Sequence, residues 1–434
     1  MAIATARQLL FSRERQPVDM VIGGARVVDP VEGIDAALDV TVEAGIVTRI
    51  EPARATRSNL LLAPAFVDPH VHLRVPGRED EEDVQTGTRA AAAGGFCAIL
   101  AMPNTDPVVD SAAVLGSLIE QAELEADVPV GFLAAITKGL AGEELTEMVE
   151  LAETGAIAFT DDGKPVRSAG LMRRALQYAG AAGRVLALHE EEPTLTIGAH
   201  MHEGAVSAEL GIGGYPSIAE SVMVERDIAL AAYESRPIHL QHLSARESVE
   251  ALRRALAAGA PVTGEVSPHH LCLTDEAVRS LDTNLKMSPP LRAEVDRQAL
   301  IAALRDGTIA AIGTDHAPHA RHEKETPFEE APNGVTGLET AFASIFTRLV
   351  LPGVLPLETV LERMSAGPAR IFGLEPPRIA VGATANLVLI DVEAAWRVEE
   401  ARFRSRSTNS WLLGETLRGD VKLTVADGRL AFAS

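Results

Sequence analysis

Two histidines separated by one residue form the first group in this sequence that could bind a metal ion. His70 and His72 belong to the stretch DPHVH at 68–72, which directly follows an apolar run. On an extended chain, residues two apart project to the same face, so both imidazoles can contact one ion. Imidazole is a common protein ligand of zinc. The pair therefore predicts a metal site at the end of a strand.

Four more apolar runs end in residues of the same kind. They end in TDDG at 160–163, in His189, in His242 and in GTDH at 313–316. With the first pair, this gives four imidazoles and two carboxylates at five strand ends. Six ligands exceed the four that a single zinc needs, so one carboxylate is free to bridge two ions. The residues predict a binuclear metal-dependent hydrolase.

Short apolar runs that alternate with Ala- and Leu-rich helical stretches must position these residues. Eight of them, spaced roughly every 35 residues, cover Ala63 to Asp315: APAFVD, FCAILAM, VGFLAAI, AIAFT, RVLAL, PIHLQ, PVTGEV and TIAAIG. Eight β-α units predict a (β/α)8 TIM barrel, whose reactive side chains lie at the carboxyl ends of the strands. A doubly wound open sheet is the competing topology, but no GxGxxG follows the first run.

The two ends of the chain have a different character. Residues 18–50 and the last sixty residues show short strands of alternating polarity, and Asp427-Gly428 marks a hairpin. We therefore expect residues 18–62 and 373–434 to form one small composite β domain, and residues 63–372 to form the barrel. Residues 1–17 are expected to be a disordered or loosely attached extension.

The remaining polar residues near the strand ends have less specific interpretations. A single histidine there is more often a hydrogen-bonded structural residue than a ligand, and only joint placement favours the ligand role. We expect His200 and His202 to be solvated or packed in loops, and His239 to be satisfied in the barrel wall. The pair His269-His270 either lines the site or orders a loop. Glu191 is either solvated or orients a ligand histidine.

Composition narrows the class of protein. Acidic residues outnumber basic ones 61 to 39, and the net charge of -22 argues against nucleic acid as a partner. The longest unbroken apolar run, Ala90–Met102, is too short to span a membrane. With only two cysteines we expect a reducing cytoplasm and no disulfide framework. Histidine and carboxylate ligands suit zinc, manganese or cobalt.

The motifs together resemble the amidohydrolase superfamily and, within it, type I dihydroorotases. The resemblance runs from about residue 20 to the end of the chain, and the terminal β domain fits the composite β-sandwich of that family. The motifs that carry it are DPHVHLR at 68–74, MPNT at 102–105, TKGL at 137–140, TDDG at 160–163, PHH at 268–270, KMSPPLR at 286–292 and GTDHAPH at 313–319.

The resemblance implies a site for one or two Zn²⁺ ions, with Mn²⁺ or Co²⁺ as alternatives, and it implies which residues bind them. His70, His72 and Asp315 would hold one ion, and His189 and His242 the other. The family's spacing favours Asp162 over Asp161 as the bridging group, in place of the carbamylated lysine that hydantoinases use. The substrate contacts implied by the resemblance are His72, Arg74, Asn104, Ser288, His319, Asn333 and Gly334.

The implied reaction is the reversible hydrolysis of (S)-dihydroorotate to N-carbamoyl-L-aspartate in de novo pyrimidine (UMP) biosynthesis. A metal-activated hydroxide would attack the ring, with Asp315 as general base and then general acid. Two positions depart from the family pattern: Ser288 stands where asparagine is common, and Asn333 where phenylalanine is frequent. A serine hydroxyl is shorter than an amide, so a ring contact is expected to be lost or water-mediated.

Two other functions remain open at this point. One is another cyclic amidase, of the hydantoinase, allantoinase or dihydropyrimidinase kind, with the same metal ligands but a different substrate clamp; Arg74 and Asn104 argue against it. The other is a catalytically silent scaffold for aspartate transcarbamoylase, although silent relatives typically lose metal ligands. A homo-oligomer and an association with aspartate transcarbamoylase are compatible with the resemblance.

Overall fold

The computed structural model describes residues 9–434 of the chain. The strands are β1 (Met20–Asp29), β2 (Ile34–Glu43), β3 (Ile46–Pro52), β4 (Arg57–Pro64), β5 (Phe66–Val71), β6 (Phe96–Ala101), β7 (Val130–Ala134), β8 (Ala158–Phe159), β9 (Leu186–Leu188), β10 (Met201–His202), β11 (Gly214–Tyr215), β12 (Ile238–Leu240), β13 (Val262–Val266), β14 (Ala311–Ile312), β15 (Leu387–Arg397), β16 (Thr416–Ala426) and β17 (Arg429–Ala433).

The α-helices lie mainly between the strands of the central part of the chain. They are α1 (Val84–Gly94), α2 (Ala112–Glu125), α3 (Met148–Thr154), α4 (Ala169–Ala182), α5 (Ala205–Leu210), α6 (Ile218–Glu234), α7 (Arg246–Ala257), α8 (Pro268–Cys272), α9 (Glu294–Asp306), α10 (Arg321–Lys324), α11 (Ala341–Ile345), α12 (Leu357–Met364) and α13 (Ala366–Ile371). Within residues 9–434, none of the helices has the length and apolar character needed to cross a membrane.

Eight parallel strands form the barrel. Their order is β5, β6, β7, β8, β9, β12, β13 and β14, and each pairs with the next in parallel. The circle closes where the N–H of His72 donates to the carbonyl of His316 at 2.8 Å. Each of the eight predicted runs overlaps one barrel strand. The predicted (β/α)8 barrel is confirmed, and the open-sheet alternative is wrong.

Helix α1 and strand β6, which follow each other along the chain, illustrate why the sequence folds this way. Strand β6, FCAILA, is buried along its whole length, because side chains fill the barrel on one face and helices cover the other. Asp83 caps the start of helix α1, because its carboxylate accepts the N–H of Thr86 at 2.7 Å. Gly95 caps the end of the helix with a φ of 92°, where a Cβ atom would lie 2.8 Å from Val388.

Seven strands from the two ends of the chain form one mixed sheet, in the order β17-β16-β15-β4-β1-β2-β3. Only β1 and β4 pair in parallel. The predicted hairpin joins β16 to β17, and Asp427 and Gly428 have the positive φ angles, 49° and 71°, of a two-residue turn. The sheet has an apolar core of its own, which includes Val27, Val40 and Leu387. The predicted composite β domain is therefore present, and its strands form one seven-stranded sheet.

Residues 9–17 are attached to the barrel, so the prediction of a disordered or loosely attached extension is wrong for them. Phe11 is buried, and its backbone exchanges two hydrogen bonds of 2.9 Å with Val130 of β7. Arg13 and Arg15 form ion pairs with Asp127. The short stretch has no periodicity of its own, and its partners lie more than a hundred residues away. Residues 1–8 lie outside the described residues.

Candidate active site

His70 and His72 lie at the end of β5 with their rings side by side, 5.3 Å between centroids. Nε2 of His70 is 3.5 Å from Asp162 and 3.6 Å from Asp315. Nε2 of His72 is 3.3 Å from Asp315 and 3.6 Å from Asp162. All four side chains are buried. The alternation of side chains on an extended strand places both imidazoles on the face that meets the two carboxylates.

His189 and His242 follow β9 and β12 and meet the other side of Asp162. Nδ1 of His189 and Nε2 of His242 each lie 3.7 Å from Oδ1 of Asp162, and the two nitrogens are 2.9 Å apart. Asp162 is therefore the carboxylate that both histidine pairs share. Its neighbour Asp161 points away and accepts hydrogen bonds from the backbone of Ile136 and Thr137.

The donor atoms of these residues fit divalent metal ions. One group consists of His70, His72 and Asp162, and a second of Asp162, His189 and His242; within each, the ligand atoms lie within 4.8 Å of one another. Nε2 of His70 is buried and lacks a hydrogen-bond partner among the described residues. An unpaired buried nitrogen aimed at carboxylates is costly unless a cation occupies the space. The arrangement is compatible with two adjacent metal ions.

Three further side chains hold the histidines in place. Oε1 of Glu265 lies 3.0 Å from Nδ1 of His70. Oδ1 of Asn104 lies 2.9 Å from Nδ1 of His72. Oε2 of Glu191 lies 3.3 Å from Nε2 of His189. A partner on one ring nitrogen fixes the tautomer and leaves the other nitrogen for a metal.

The site carries a surplus of buried negative charge. Burial alone would raise the pKa of Asp162 and of Asp315, but the surrounding histidines hold both well below the ordinary range. Burial likewise opposes a charge on His70, yet Asp162 and Glu265 raise its pKa well above the usual value. Carboxylates that stay ionised and an imidazole driven toward its cationic form both indicate a site built for positive charge.

A cavity of about 270 Å³ lies at the carboxyl ends of the barrel strands. All predicted site residues line it except two: His70, which is fully buried, and His319, which contacts Arg74. The lining residues are His72, Arg74, Asn104, Asp162, Gly163, His189, Glu191, Thr196, Ala199, His200, Tyr215, His242, Met287, Ser288, Pro290, Asp315, Ala317, Asn333 and Gly334.

Arg74 brings a buried positive charge to the cavity wall. Its Nε donates to the carbonyl of Pro318 at 3.0 Å and pairs with Glu81 at the same distance. Its Nη2 lies 3.3 Å from Nε2 of His319. Burial and the adjacent guanidinium lower the pKa of His319 to about 3, so this imidazole is neutral.

Asn104, which is predicted to contact the substrate, connects two of the predicted metal ligands. Its Nδ2 donates to Asp162 at 3.0 Å, and its Oδ1 contacts His72.

Three residues of the site have left-handed backbone conformations. The φ angles are 62° at Arg74, 30° at His242 and 49° at Asp315, and none of the three is glycine. Such conformations cost free energy, and they persist where the surrounding structure requires a side chain to point in a particular direction. Here they turn three strand-end side chains into one cavity.

The other histidines separate into distinct roles. The ring of His239 is hydrogen-bonded within the barrel wall, as predicted, with its Nε2 3.0 Å from Oε2 of Glu265. His270 orders a loop, since it contacts Ser267 and the carbonyl of Pro289. His202 is buried in the two-residue strand β10, so the expectation that it is solvated or packed in a loop is wrong.

Sequence reasoning missed three residues near the cavity. Glu265 is a charged residue inside the apolar run PVTGEV, which was a usable signal for an inward-facing partner. Lys286 begins the KMSPPLR motif but was not singled out; its Nζ lies 3.4 Å from Nδ1 of His200 and donates to the carbonyl of Glu329. His200 lies in a loop, as one of the two interpretations expected, but it also lines the cavity, which was not predicted.

Comparisons with known proteins agree with this site. A family model described as dihydro-orotase-like matches residues 59–248. A dihydroorotase of Citrifermentans bemidjiense is 45% identical over 423 residues, covering 96% of this chain and all of the relative. A dihydroorotase of Anaeromyxobacter dehalogenans is 46% identical over 421 residues, covering 95% of this chain and 97% of the relative. The solved L-hydantoinase of Arthrobacter aurescens superimposes with a TM-score of 0.83 at 25% identity, covering 94% of this chain and 95% of that one. The chain belongs to the dihydroorotase family.

Proposed function

We propose that this chain is a dihydroorotase, which opens the ring of (S)-dihydroorotate to give N-carbamoyl-L-aspartate and catalyses the reverse reaction. The observation that carries the proposal is the meeting of two features in one cavity. The carboxylate-histidine cluster around Asp162 suits metal-assisted hydrolysis of an amide. The buried guanidinium of Arg74 suits a substrate that carries a carboxylate beside that amide. Dihydroorotate has both groups.

The metal ions that we propose are Zn²⁺, one or two per chain, with Mn²⁺ or Co²⁺ as alternatives. His70, His72 and Asp315 would hold one ion, His189 and His242 the other. Asp162 would bridge them, because it contacts all four imidazoles at 3.5 to 3.7 Å. When bound, such ions lower the pKa of water and polarise the carbonyl under attack.

Asp315 would move the proton. It lines the cavity, and its pKa is low enough to keep it ionised at neutral pH, ready to accept a proton from the attacking water. Water adds to the ring carbonyl carbon, and the tetrahedral intermediate collapses with cleavage of the ring C–N bond. Asp315 then returns its proton to the departing nitrogen. This sequence needs no nucleophilic side chain.

Arg74 would bind the substrate carboxylate, and the loop after β14 would complete the pocket. Asn333 and Gly334 line the same cavity as Arg74, and His319 contacts the guanidinium, with its Nε2 3.3 Å from Nη2. His72, Asn104 and Ser288 face the space where the ring would lie. A fixed cation on one side and the hydrolytic cluster on the other would orient the ring for attack.

Hydantoinase-like activity is the second candidate, because the L-hydantoinase of Arthrobacter aurescens shares this fold at 25% identity. Its substrate class lacks the carboxylate that Arg74 is placed to bind. A silent scaffold is disfavoured because all six predicted ligand side chains are present and converge.

Metal analysis combined with parallel assays tests the proposal. We expect purified chain to contain divalent metal, to hydrolyse dihydroorotate far faster than hydantoin or allantoin, and to lose activity on chelation and regain it with Zn²⁺. Faster turnover of hydantoin or allantoin would favour the second candidate. Protein that stays inert toward dihydroorotate after metal is restored would favour the scaffold.

We also propose a cytoplasmic setting, consistent with free Cys97 and Cys272. A homo-oligomer and an association with aspartate transcarbamoylase are testable extensions. Light scattering of the isolated chain would give its oligomeric state. Turnover by the chain alone, compared with turnover after adding the transcarbamoylase, would show whether that partner is needed.

A further inference from the structure

The connection between β15 and β16 leaves the β domain and crosses to the mouth of the barrel. Ser407 Oγ donates to the carbonyl of Glu81 at 2.6 Å, and the N–H of Arg406 donates to Glu82 at 3.1 Å. Ser405 also bonds to the carboxylate of Glu82. These contacts tie the segment Ser405–Asn409 to the loop that follows β5, the strand that carries the first histidine pair.

Asn409, at the end of this segment, reaches the loop that follows β14. Its Oδ1 accepts the N–H of His319 at 3.0 Å. Its Nδ2 donates to the carbonyl of Gly334 at 3.1 Å and lies 3.4 Å from that of Ala317. Its own carbonyl accepts the N–H of Thr336 at 2.9 Å. Asn409 is only 6% exposed, so these bonds are shielded from water.

The side chain of Asn409 thus joins the two ends of one loop. His319 contacts Arg74 at one end, and Gly334 lines the cavity at the other end. Two further contacts join the same ends: the N–H of Ala317 donates to the carbonyl of Val335 at 2.8 Å, and Nε2 of His319 lies 2.8 Å from the carbonyl of Asn333. Removing the amide of Asn409 leaves a buried N–H and a buried carbonyl without partners, so both ends shift within the limits that these remaining contacts set. A short aliphatic residue offers neither the donor nor the acceptor.

We propose that Asn409 is a positioning residue for the substrate carboxylate, supplied by the β domain to the barrel. The inference rests on the proposed dihydroorotase function, because it assigns Arg74 and the loop around Gly334 to that carboxylate. Asn409 acts through these residues and touches neither the metal ligands nor the reacting bond. Binding of the carboxylate helps the ground state and the transition state alike, so its loss raises KM and leaves kcat nearly unchanged.

Kinetics of Asn409→Ala in the full, metal-loaded chain test the inference. We expect KM for dihydroorotate to rise about ten-fold, with kcat within about two-fold of wild type and metal content unchanged. Inhibition by orotate, which carries the same carboxylate on a flat ring, should weaken by the same factor. Asn409→Ser keeps a short polar group, so we expect its KM to lie between those of wild type and Asn409→Ala. This variant tests the inference if Asn409→Ala does not fold.

Ser410→Ala is the matched control. Ser410 is a buried neighbour whose Oγ accepts the N–H of Leu412, so its truncation perturbs the same segment without touching the substrate loop. We expect its KM to match wild type. An unchanged KM and orotate inhibition in both Asn409 variants, or a fall in kcat alone, would overturn the inference while leaving the proposed function intact. Absence of dihydroorotate turnover in wild type would overturn both.

Discussion

The imidazole of His70 is held by the carboxylate of Glu265, whose Oε1 lies 3.0 Å from Nδ1 of the ring. The other oxygen of Glu265 lies 3.0 Å from Nε2 of His239, so one buried carboxylate connects a predicted metal ligand to the barrel wall. Burial opposes its ionisation, but the two imidazoles lower the pKa of Glu265 to about 2. Glu265 therefore remains an acceptor, and the other nitrogen of His70 is left free to face the site.

Replacing Glu265 with glutamine should weaken metal binding. The amide carries no charge, and one of its two ends offers a donor where His70 needs an acceptor. Loss of such a supporting partner typically lowers metal affinity about 10- to 100-fold. Retention of metal during titration with a chelator measures the effect. Glu276→Gln, an exposed change at a residue paired with Arg279, is the control and should behave as wild type. Equal metal retention in Glu265→Gln would contradict the assigned role.

Replacing Asp315 with asparagine should leave the fold intact and nearly abolish turnover. The two side chains have the same shape, but an amide cannot take up the proton that the proposed mechanism gives to Asp315. We expect kcat to fall about 10²- to 10⁴-fold. Circular dichroism and metal content verify that the protein is folded and loaded. Asp306→Asn makes the same change at an exposed residue outside the cavity, and we expect this control variant to keep wild-type turnover. Substantial remaining activity would remove the proton-transfer role.

The sequence was informative where one strand determines both position and direction. His70 and His72 could be predicted as a pair because alternation along a strand puts them on one face. The ends of the eight apolar runs located the other polar residues because parallel strands share a carboxyl edge. What could not be predicted depends on contacts between distant segments: Glu265 facing His70, and Asn409 reaching the loop after β14 from the other domain.

The choice between the two aspartates of TDDG shows the same limit. Alternation alone says that Asp161 and Asp162 point in different directions, but not which of them faces the histidines. Family resemblance favoured Asp162. In the structure Asp161 turns toward backbone N–H groups of a neighbouring loop, and only a three-dimensional arrangement of that loop could reveal this. Phe11 was missed for a related reason, since its partner Val130 lies on a strand far along the chain.

Replacing Ser288 with asparagine should lower KM for dihydroorotate without reducing kcat. Ser288 lines the cavity next to Met287 and Pro290. Its hydroxyl is shorter than an asparagine side chain and lacks the paired donor and acceptor of an amide. An asparagine would reach the ring directly instead of through water. Steady-state kinetics check this. An unchanged or higher KM would mean that the serine does not weaken the ring contact.

Lys324 should make the stability of the protein depend on pH above neutrality. Its side chain is 7% exposed, and its Nζ donates to the carbonyls of Thr283 and Pro332 at 3.0 and 2.8 Å. Burial, assisted by the charge of Lys286, lowers its pKa to about 7. In the unfolded chain a lysine titrates near pH 10.4. Between these values the unfolded state binds a proton that the folded state has lost, so the free energy of unfolding rises with pH.

The comparison of wild type with Lys324→Met isolates this contribution. Below about pH 7 the lysine is protonated in both states and its effect on stability is constant. Between pH 7 and pH 9 we expect the free energy of unfolding of wild type, relative to the variant, to increase by about 2 kcal/mol. Urea unfolding at the two pH values gives this difference directly. Lys138→Met, at an exposed lysine whose pKa is raised, should show no such change. A difference between wild type and Lys324→Met that stays constant, or falls as the pH rises, would show that Lys324 keeps its proton in the folded protein.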